Sequence, residues 1–283
     1  MRIRPAMFAG SWYPSSAVAC RREIQSFLES NPTETVSERP FTGGIVPHAG
    51  WAFSGAIACN VIRLLSRGDA PDLVWLFGMH LHPRSSAVIT KEGGWQTPLG
   101  ALPIDTQCAG EMAGRFSFTV ETADDFTPDN TIELQLPFVK HFFPDARIVP
   151  VGVPPNAEAP AMGRAAVEIS NRLGRRIRIV GSTDLTHYGP NYGFSPKGTG
   201  SAAVSWVKEE NDRRIIDAIL SLSPDQVIEE ALSHQNACCA GAAAAAIAAG
   251  TALGADAAEL VAYATSYDKH PGDSLVGYAG VVF

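Results

Sequence analysis

The chain has 283 residues, 46% of them hydrophobic and 18% charged, the balance of a globular protein with a sizeable core. A formal net charge of -7 and the lack of any basic run argue against nucleic acid or an anionic membrane as the main partner. Five cysteines without a framework spacing argue against structural disulfides.

Residues 1 to 16 read as irregular, with Trp12 and Tyr13 covering a core edge. Helical spacing follows over Cys20 to Glu29, and Asn31 to Pro40 is a polar loop. Gly43 to Gly55, GGIVPHAGWAFSG, reads as a buried strand, an exposed turn carrying His48, and a helix start. Ser54 is expected to cap that helix, which runs to about Arg67 with Ile57, Val61, Leu64 and Leu65 on one face. Asp72 to Phe77 is a continuous apolar strand of the doubly buried type, ending at Gly78 and opening into MHLHP. Ala87 to Thr90 and Ala101 to Ile104 are strand-like pieces separated by the turn-rich GGWQTPLG. A helix over Thr106 to Arg115 and a strand over Phe116 to Val120 come next.

The second half keeps the rhythm. Thr131 to Phe143 is helical, with Pro137 expected to kink or interrupt it. Arg147 to Val153 is a strand, Glu158 to Leu173 a helix, and Ile177 to Ser182 a strand ending in TDLTHYG. Gly189 to Gly200 is a Gly/Pro/Ser-rich loop with the length of a lid or a site rim. Helices over Ser201 to Ser221 and Pro224 to Ser233 lead to HQNACCAGAAAAAIAAG, which starts a helix able to lie close to a neighbour. Glu259 to Thr265 and Leu275 to Val282 close the chain as strands. Alternating strands and helices imply an α/β fold with a mostly parallel sheet covered on both faces. No repeat or composition shift marks a boundary, so residues 1–283 are taken as one domain.

Polar clusters collect at the expected strand ends. His48, then His80 and His82, then Asp184 and His187 stand where an open α/β sheet presents ligand-binding residues. His80 and His82 alternate and would share one side of an extended segment; a solvated loop is the plainer alternative. Asp184 and His187 have the spacing of a carboxylate that orients an imidazole base, or of a cap beside a surface histidine. Cys238 and Cys239 open a helix, where the dipole favours thiolate; small-residue packing is the alternative, and is expected for one of the two. HExxH, CxxC, phosphate-loop, nicotinamide and Gly-x-Ser-x-Gly signatures are missing. His141 and His270 read as structural or solvated, and Cys20, Cys59 and Cys108 as core.

Taken together, AGSWYP, PHAGWAFSG, the FG-x-H strand end, TPLG, IELQLPF, STDLTHYG, the cysteine-led helix, YATSYD and DSLVGYAG resemble the Memo family, also called AmmeMemoRadiSam system protein B. The family is similar to the catalytic subunit of class III extradiol dioxygenases, non-haem Fe(II) enzymes. That resemblance implies a three-layer α/β/α fold with a metal crevice at the strand ends. It assigns metal ligands to His48, to His80 with His82 as runner-up, and to Cys238 rather than Cys239, with Asp184 and His187 close by. Phe8 and Asn130 stand where the family often has histidine.

The resulting expectation is a mononuclear metal protein, iron first and copper second, with His187 as acid/base oriented by Asp184. Trp51 and Tyr188, with Tyr192 and Trp95, are expected to line the substrate crevice. A non-catalytic peptide- or metabolite-binding module with a vestigial metal is the rival. Metal-independent catalysis by Cys238 with His187 as base is a third reading. The longest apolar run, Ala237 to Ala249, is too short to span a bilayer, and the N-terminus lacks a signal-peptide core. A cytoplasmic protein with a small-molecule or peptide ligand is expected, and a homo-oligomer is compatible with the sequence.

Overall fold

A computed structural model describes residues 2–30 and 36–283; the first half of the expected polar loop, residues 31–35, lies outside the described residues. In chain order the strands are β1 (Ile3–Arg4), β2 (Gly43–Val46), β3 (Leu73–Gly78), β4 (Ala87–Thr90), β5 (Gly94–Trp95), β6 (Leu102–Pro103), β7 (Phe118–Glu121), β8 (Arg147–Gly152), β9 (Ile177–Ser182), β10 (His187–Tyr188), β11 (Glu259–Thr265) and β12 (Leu275–Val282). The helices are α1 (Ala17–Ser30), α2 (Ala56–Leu64), α3 (Thr106–Arg115), α4 (Asn130–Glu133), α5 (Leu136–Phe142), α6 (Ala159–Arg172), α7 (Ser201–Trp206), α8 (Asp212–Leu220), α9 (Pro224–His234) and α10 (Ala240–Ala252).

One nine-stranded sheet runs in the order β10-β12-β2-β9-β3-β8-β4-β7, with β11 beside β12. Its centre, β2, β9, β3 and β8, is parallel, and these strands are apolar on both faces as double coverage requires. The flanks are antiparallel where β12 meets β2 and where β4 meets β8, so the sheet is mixed rather than mostly parallel. Helices α6, α9 and α10 cover one face and α1, α2 and α5 the other. The small sheet β1-β5-β6 stands apart.

Local departures have local causes. The segment before α2 is a π-helical turn over Trp51–Gly55, and Ser54 Oγ donates to the Ala49 carbonyl at 3.1 Å instead of capping the helix. The helix expected over Thr131 to Phe143 is broken between α4 and α5, because Pro137 sits in the first turn of α5, where its missing N–H costs nothing. A second π-helical stretch, Val207–Asn211, joins α7 to α8. Helix α10 is buried along nearly its whole length. Its alanines permit contact at backbone range: a Cβ built on Gly163 of α6 would lie 2.0 Å from the Ala245 carbonyl oxygen.

Candidate metal centre

Strands β2, β9 and β3 are parallel neighbours, and each delivers one polar residue two positions past its end: His48, Asp184 and His80. Carboxyl ends of adjacent parallel strands form the natural ligand crevice of such a sheet. His80 reaches it by a strained turn. Met79 sits at φ +70°, rare outside glycine, and is held there by its N–H donating to Thr131 Oγ1 at 2.7 Å.

Asp184 ties the crevice together. Its Oδ1 accepts the His48 backbone N–H at 2.7 Å, and its Oδ2 lies 3.8 Å from His48 Nε2. His48 Nδ1 is 3.0 Å from Ser182 Oγ, which leaves Nε2 facing inward, 3.2 Å from Cys238 Sγ. The His80 ring stands edge-on to that of His48, with centroids 4.9 Å apart. From the other side, Cys238 and Cys239 form the turn into α10, with Cys239 at its N-cap. That turn docks on the end of β9: Cys238 N–H donates to the Asp184 carbonyl at 3.2 Å, and Cys239 N–H to Thr183 Oγ1 at 3.0 Å. The Asp184 N–H points at Cys238 Sγ from 3.3 Å.

The electrostatics follow from this packing. Burial opposes charge on Cys238, but contact with the Cys239 thiol and the rings of His48 and His80 brings its thiol well below the ordinary value. Cys239 moves the opposite way through burial and the charge of its neighbour, and stays a thiol. Burial would lower His48; Asp184 and then Cys238 outweigh it and raise the imidazole to about 9. Desolvation pushes the Asp184 carboxyl up, moderated by His48. A second buried carboxylate, Asp212, accepts the Thr186 N–H at 3.0 Å and the Tyr263 hydroxyl at 2.8 Å, and burial raises it to about 6.

His187 stands beside this cluster. Its Nδ1 is 3.1 Å from the Leu185 carbonyl oxygen, and a carbonyl can only accept. In the neutral ring Nδ1 therefore carries the proton and Nε2 is left as a base. This corrects the expectation that Asp184 orients His187: the carboxylate is committed to the His48 backbone, and the orienting group is a main-chain oxygen.

A cavity of about 610 Å³ opens over the cluster, with His48, His80, Asp184 and His187 in its wall. Its aromatic lining comes from Trp12, Phe53, Tyr192 and Tyr278. Trp51 and Tyr188, expected there, are core residues. Trp51 is stacked on Phe138 at 4.2 Å with its indole N–H on the Leu134 carbonyl. Tyr188 packs on Phe194 and Trp206, and its hydroxyl donates to the Gly198 carbonyl, pinning the Gly189 to Gly200 loop. Trp95 lies under the Arg4 guanidinium, away from the site. His270, read as structural or solvated, meets Phe53 edge-on with ring centroids 5.5 Å apart and lines the cavity. His82 accepts the Arg84 N–H in its own turn.

Four side chains, His48, His80, Cys238 and Cys239, form a group that could hold a metal ion, with donor atoms all within 4.8 Å of one another. The donor chemistry fits: bonds of roughly 2.0–2.3 Å to imidazole and thiolate imply donor separations of roughly 3.5 Å, close to the 3.2 Å between His48 Nε2 and Cys238 Sγ. The hydrogen bond between Ser182 and the far nitrogen of His48 is the outer contact a ligating imidazole needs. Ser182 and Thr183 lie within the STDLTHYG motif, but their supporting roles, like that of Thr131, depend on which strands are neighbours and are not legible in it. Among the described residues, no helix is long and apolar enough to cross a membrane.

A family model described as Memo-like protein matches residues 4–282. A MEMO1 family protein of Pyrococcus abyssi is 32% identical over 292 residues, spanning 99% of both chains. Another, from Methanopyrus kandleri, is 32% identical over 296 residues, spanning 100% of this chain and 99% of its own. The crystal structure of an uncharacterized protein from Escherichia coli K12 superposes with a TM-score of 0.56 at 11% identity, over 86% of this chain and 99% of that one, a likeness of fold alone. Matched end to end by the family model and by these relatives, the chain belongs to the Memo-like family.

Proposed function

We propose that this protein is a mononuclear metal-dependent oxidoreductase acting on a small organic molecule. His48, His80 and Cys238 would hold iron(II), with copper the alternative, and His187 would be the base. The observation that carries this reading is the convergence of two imidazoles and a thiolate beside a cavity of about 610 Å³, with a third imidazole outside the ligand group. When bound, the metal supplies a redox-active Lewis acid with positions left open by a three-residue ligand set. The thiolate, in place of a carboxylate, makes the site softer than the usual facial triad and is what keeps copper in consideration.

The chain's own groups supply the rest. His187 Nε2 is placed to take a proton from a hydroxyl bound in the cavity. Asp184 fixes the His48 backbone and shares the charge of the ring, so it positions a ligand. Trp12, Phe53 and Tyr192 give the space an aromatic wall against which a planar or apolar group can pack. Cys238 contacts His48, which favours its use as a ligand over its use as a nucleophile served by His187.

Elemental analysis of protein purified without added metal, beside His48→Ala and Cys238→Ala, tests the reading. One iron or copper per chain, lost in both variants but retained in His187→Ala, is the expected result. A wild type that stays metal-free after anaerobic Fe(II) and Cu(I) loading would leave the rival, a peptide- or metabolite-binding module.

A further inference from the structure

Cys238 is half-buried, yet it does not line the cavity that His48 and Asp184 face. It lines a second cavity, of about 410 Å³. His80, His187 and Tyr192 line both cavities and form the partition between them. On the far side of that partition the wall is mostly apolar: Leu185 and Phe194 from the β9–α7 segment, and Ala231, Leu232 and Ala237 from α9 and the turn before α10. Gln235, held at φ +51°, ends α9 and turns the chain so that both of these stretches face the same space. Among the described residues no Asp, Glu, Lys or Arg lines it; its polar groups are His80, His187 and Tyr192 on the partition, with Cys238 and Gln235. Leu232, 52% exposed, is an uncovered apolar side chain at its edge.

We propose that this second cavity is a substrate-binding lobe of the same centre, taking an uncharged apolar arm, alkyl or aryl, of a molecule whose reacting end lies against His187. The occupant follows from continuity and charge. The lobe shares three residues with the first cavity, so a single ligand can reach both, and beyond that partition Leu185, Phe194, Ala231, Leu232 and Ala237 offer apolar contact area and no formal charge. The inference rests on the reading of His187 and the metal ligands given above. It assigns the specificity of the centre to Leu232, Phe194 and Leu185, far in sequence from the histidine motifs.

The lobe can be probed through Cys238 itself, without a known substrate. In the metal-free protein, the Cys238 thiolate adds to the C=C bond of an N-alkylmaleimide; the S–C bond forms as the π bond breaks, and the resulting carbanion takes a proton from water. The rate at Cys238, read by peptide mass mapping with N-methyl, N-propyl and N-hexyl reagents, reports whether the sulfur side favours an apolar arm. Each fully buried methylene is worth about fourfold, so partial burial should give roughly tenfold or more between methyl and hexyl. In Leu232→Glu, a change at an exposed position, the chain-length gradient should collapse, read as the ratio of the hexyl to the methyl rate within that variant. Equal rates for all three reagents in the wild type, or an unchanged gradient in Leu232→Glu, would overturn the proposal. Loading the protein with Fe(II) or Cu(I) first separates the two readings. Protection of Cys238 supports the metal ligand, whereas unprotected labelling that keeps its gradient removes the metal assignment and leaves the lobe standing.

Discussion

The pairing of Cys238 with His48 makes a quantitative demand on the metal-free protein. Opposite charges 3.2 Å apart attract by about 5 kcal/mol at an effective dielectric of about 20. Cys238 is partly exposed, so solvent screening roughly halves this, leaving about 2–3 kcal/mol. Replacing His48 by Gln keeps a polar side chain of similar reach and removes the charge. Titration of the ultraviolet thiolate absorbance should then show one thiolate per chain persisting below the ordinary cysteine range in the wild type. In His48→Gln the midpoint of that signal should move up. Cys238→Ser should abolish the signal in both backgrounds, since the remaining cysteines are buried thiols, of which Cys20, Cys59 and Cys108 are raised to about 12. Superimposable titrations for wild type and His48→Gln would refute the ion pair.

Three further outcomes follow from the packing. Asp212, raised to about 6 by burial, favours the fold in its protonated form; that stability is complete below the ordinary carboxylate pKa and lost as pH rises through about 6. Urea unfolding should therefore show the wild type losing about 3 kcal/mol relative to Asp212→Asn between about pH 4 and pH 7, and a flat difference would contradict the assignment. Glu133 is fully buried and accepts the Met7 and Phe8 N–H groups and the Tyr13 hydroxyl, at 3.0, 2.7 and 3.0 Å. Glu133→Ala should cost about 3–5 kcal/mol and deprotect the Phe8 amide in hydrogen exchange, because that carboxylate anchors the segment carrying Trp12. Gly163→Ala should cost about 3 kcal/mol or more in the same unfolding assay, since its methyl has nowhere to go but the Ala245 carbonyl.

Periodicity and apolar runs carried much of this architecture. Strands β4, β9, β11 and β12 and helix α3 fall where their patterns place them, because each is a short element whose burial is written in its own residues. What depends on neighbours was not legible. Strand direction at the flanks is one case: nothing within Leu275 to Val282 says that it will pair antiparallel with β2. The π-helical turns are another, since an extra residue per turn leaves no local signature. At the site, motifs pointed to residues that the crevice gathers, but proximity in sequence misled about orientation. Trp51, three residues after His48, faces Phe138 in the core, while Trp12, from the irregular N-terminal segment, reaches the cavity. Asp184 and His187 are three residues apart and yet bond elsewhere, because the chain between them is extended and sends their side chains to different partners.

The alanine helix α10 has a consequence for how the protein tolerates change. Its buried side chains are nearly all methyl groups, so it is held by nearness of backbone to backbone more than by the area any one residue removes from water. Such an element has almost no slack. Enlarging a residue along its buried length, Ala240 to Gly250, or on the strand and helix facing it at Gly181 and Gly163, would displace the helix as a rigid rod. Cys239 is the first link of that rod and Cys238 the residue before it. Variation in the middle of α10 would therefore be read out at the sulfur, as an altered distance to His48, by substitutions that touch none of the residues around it.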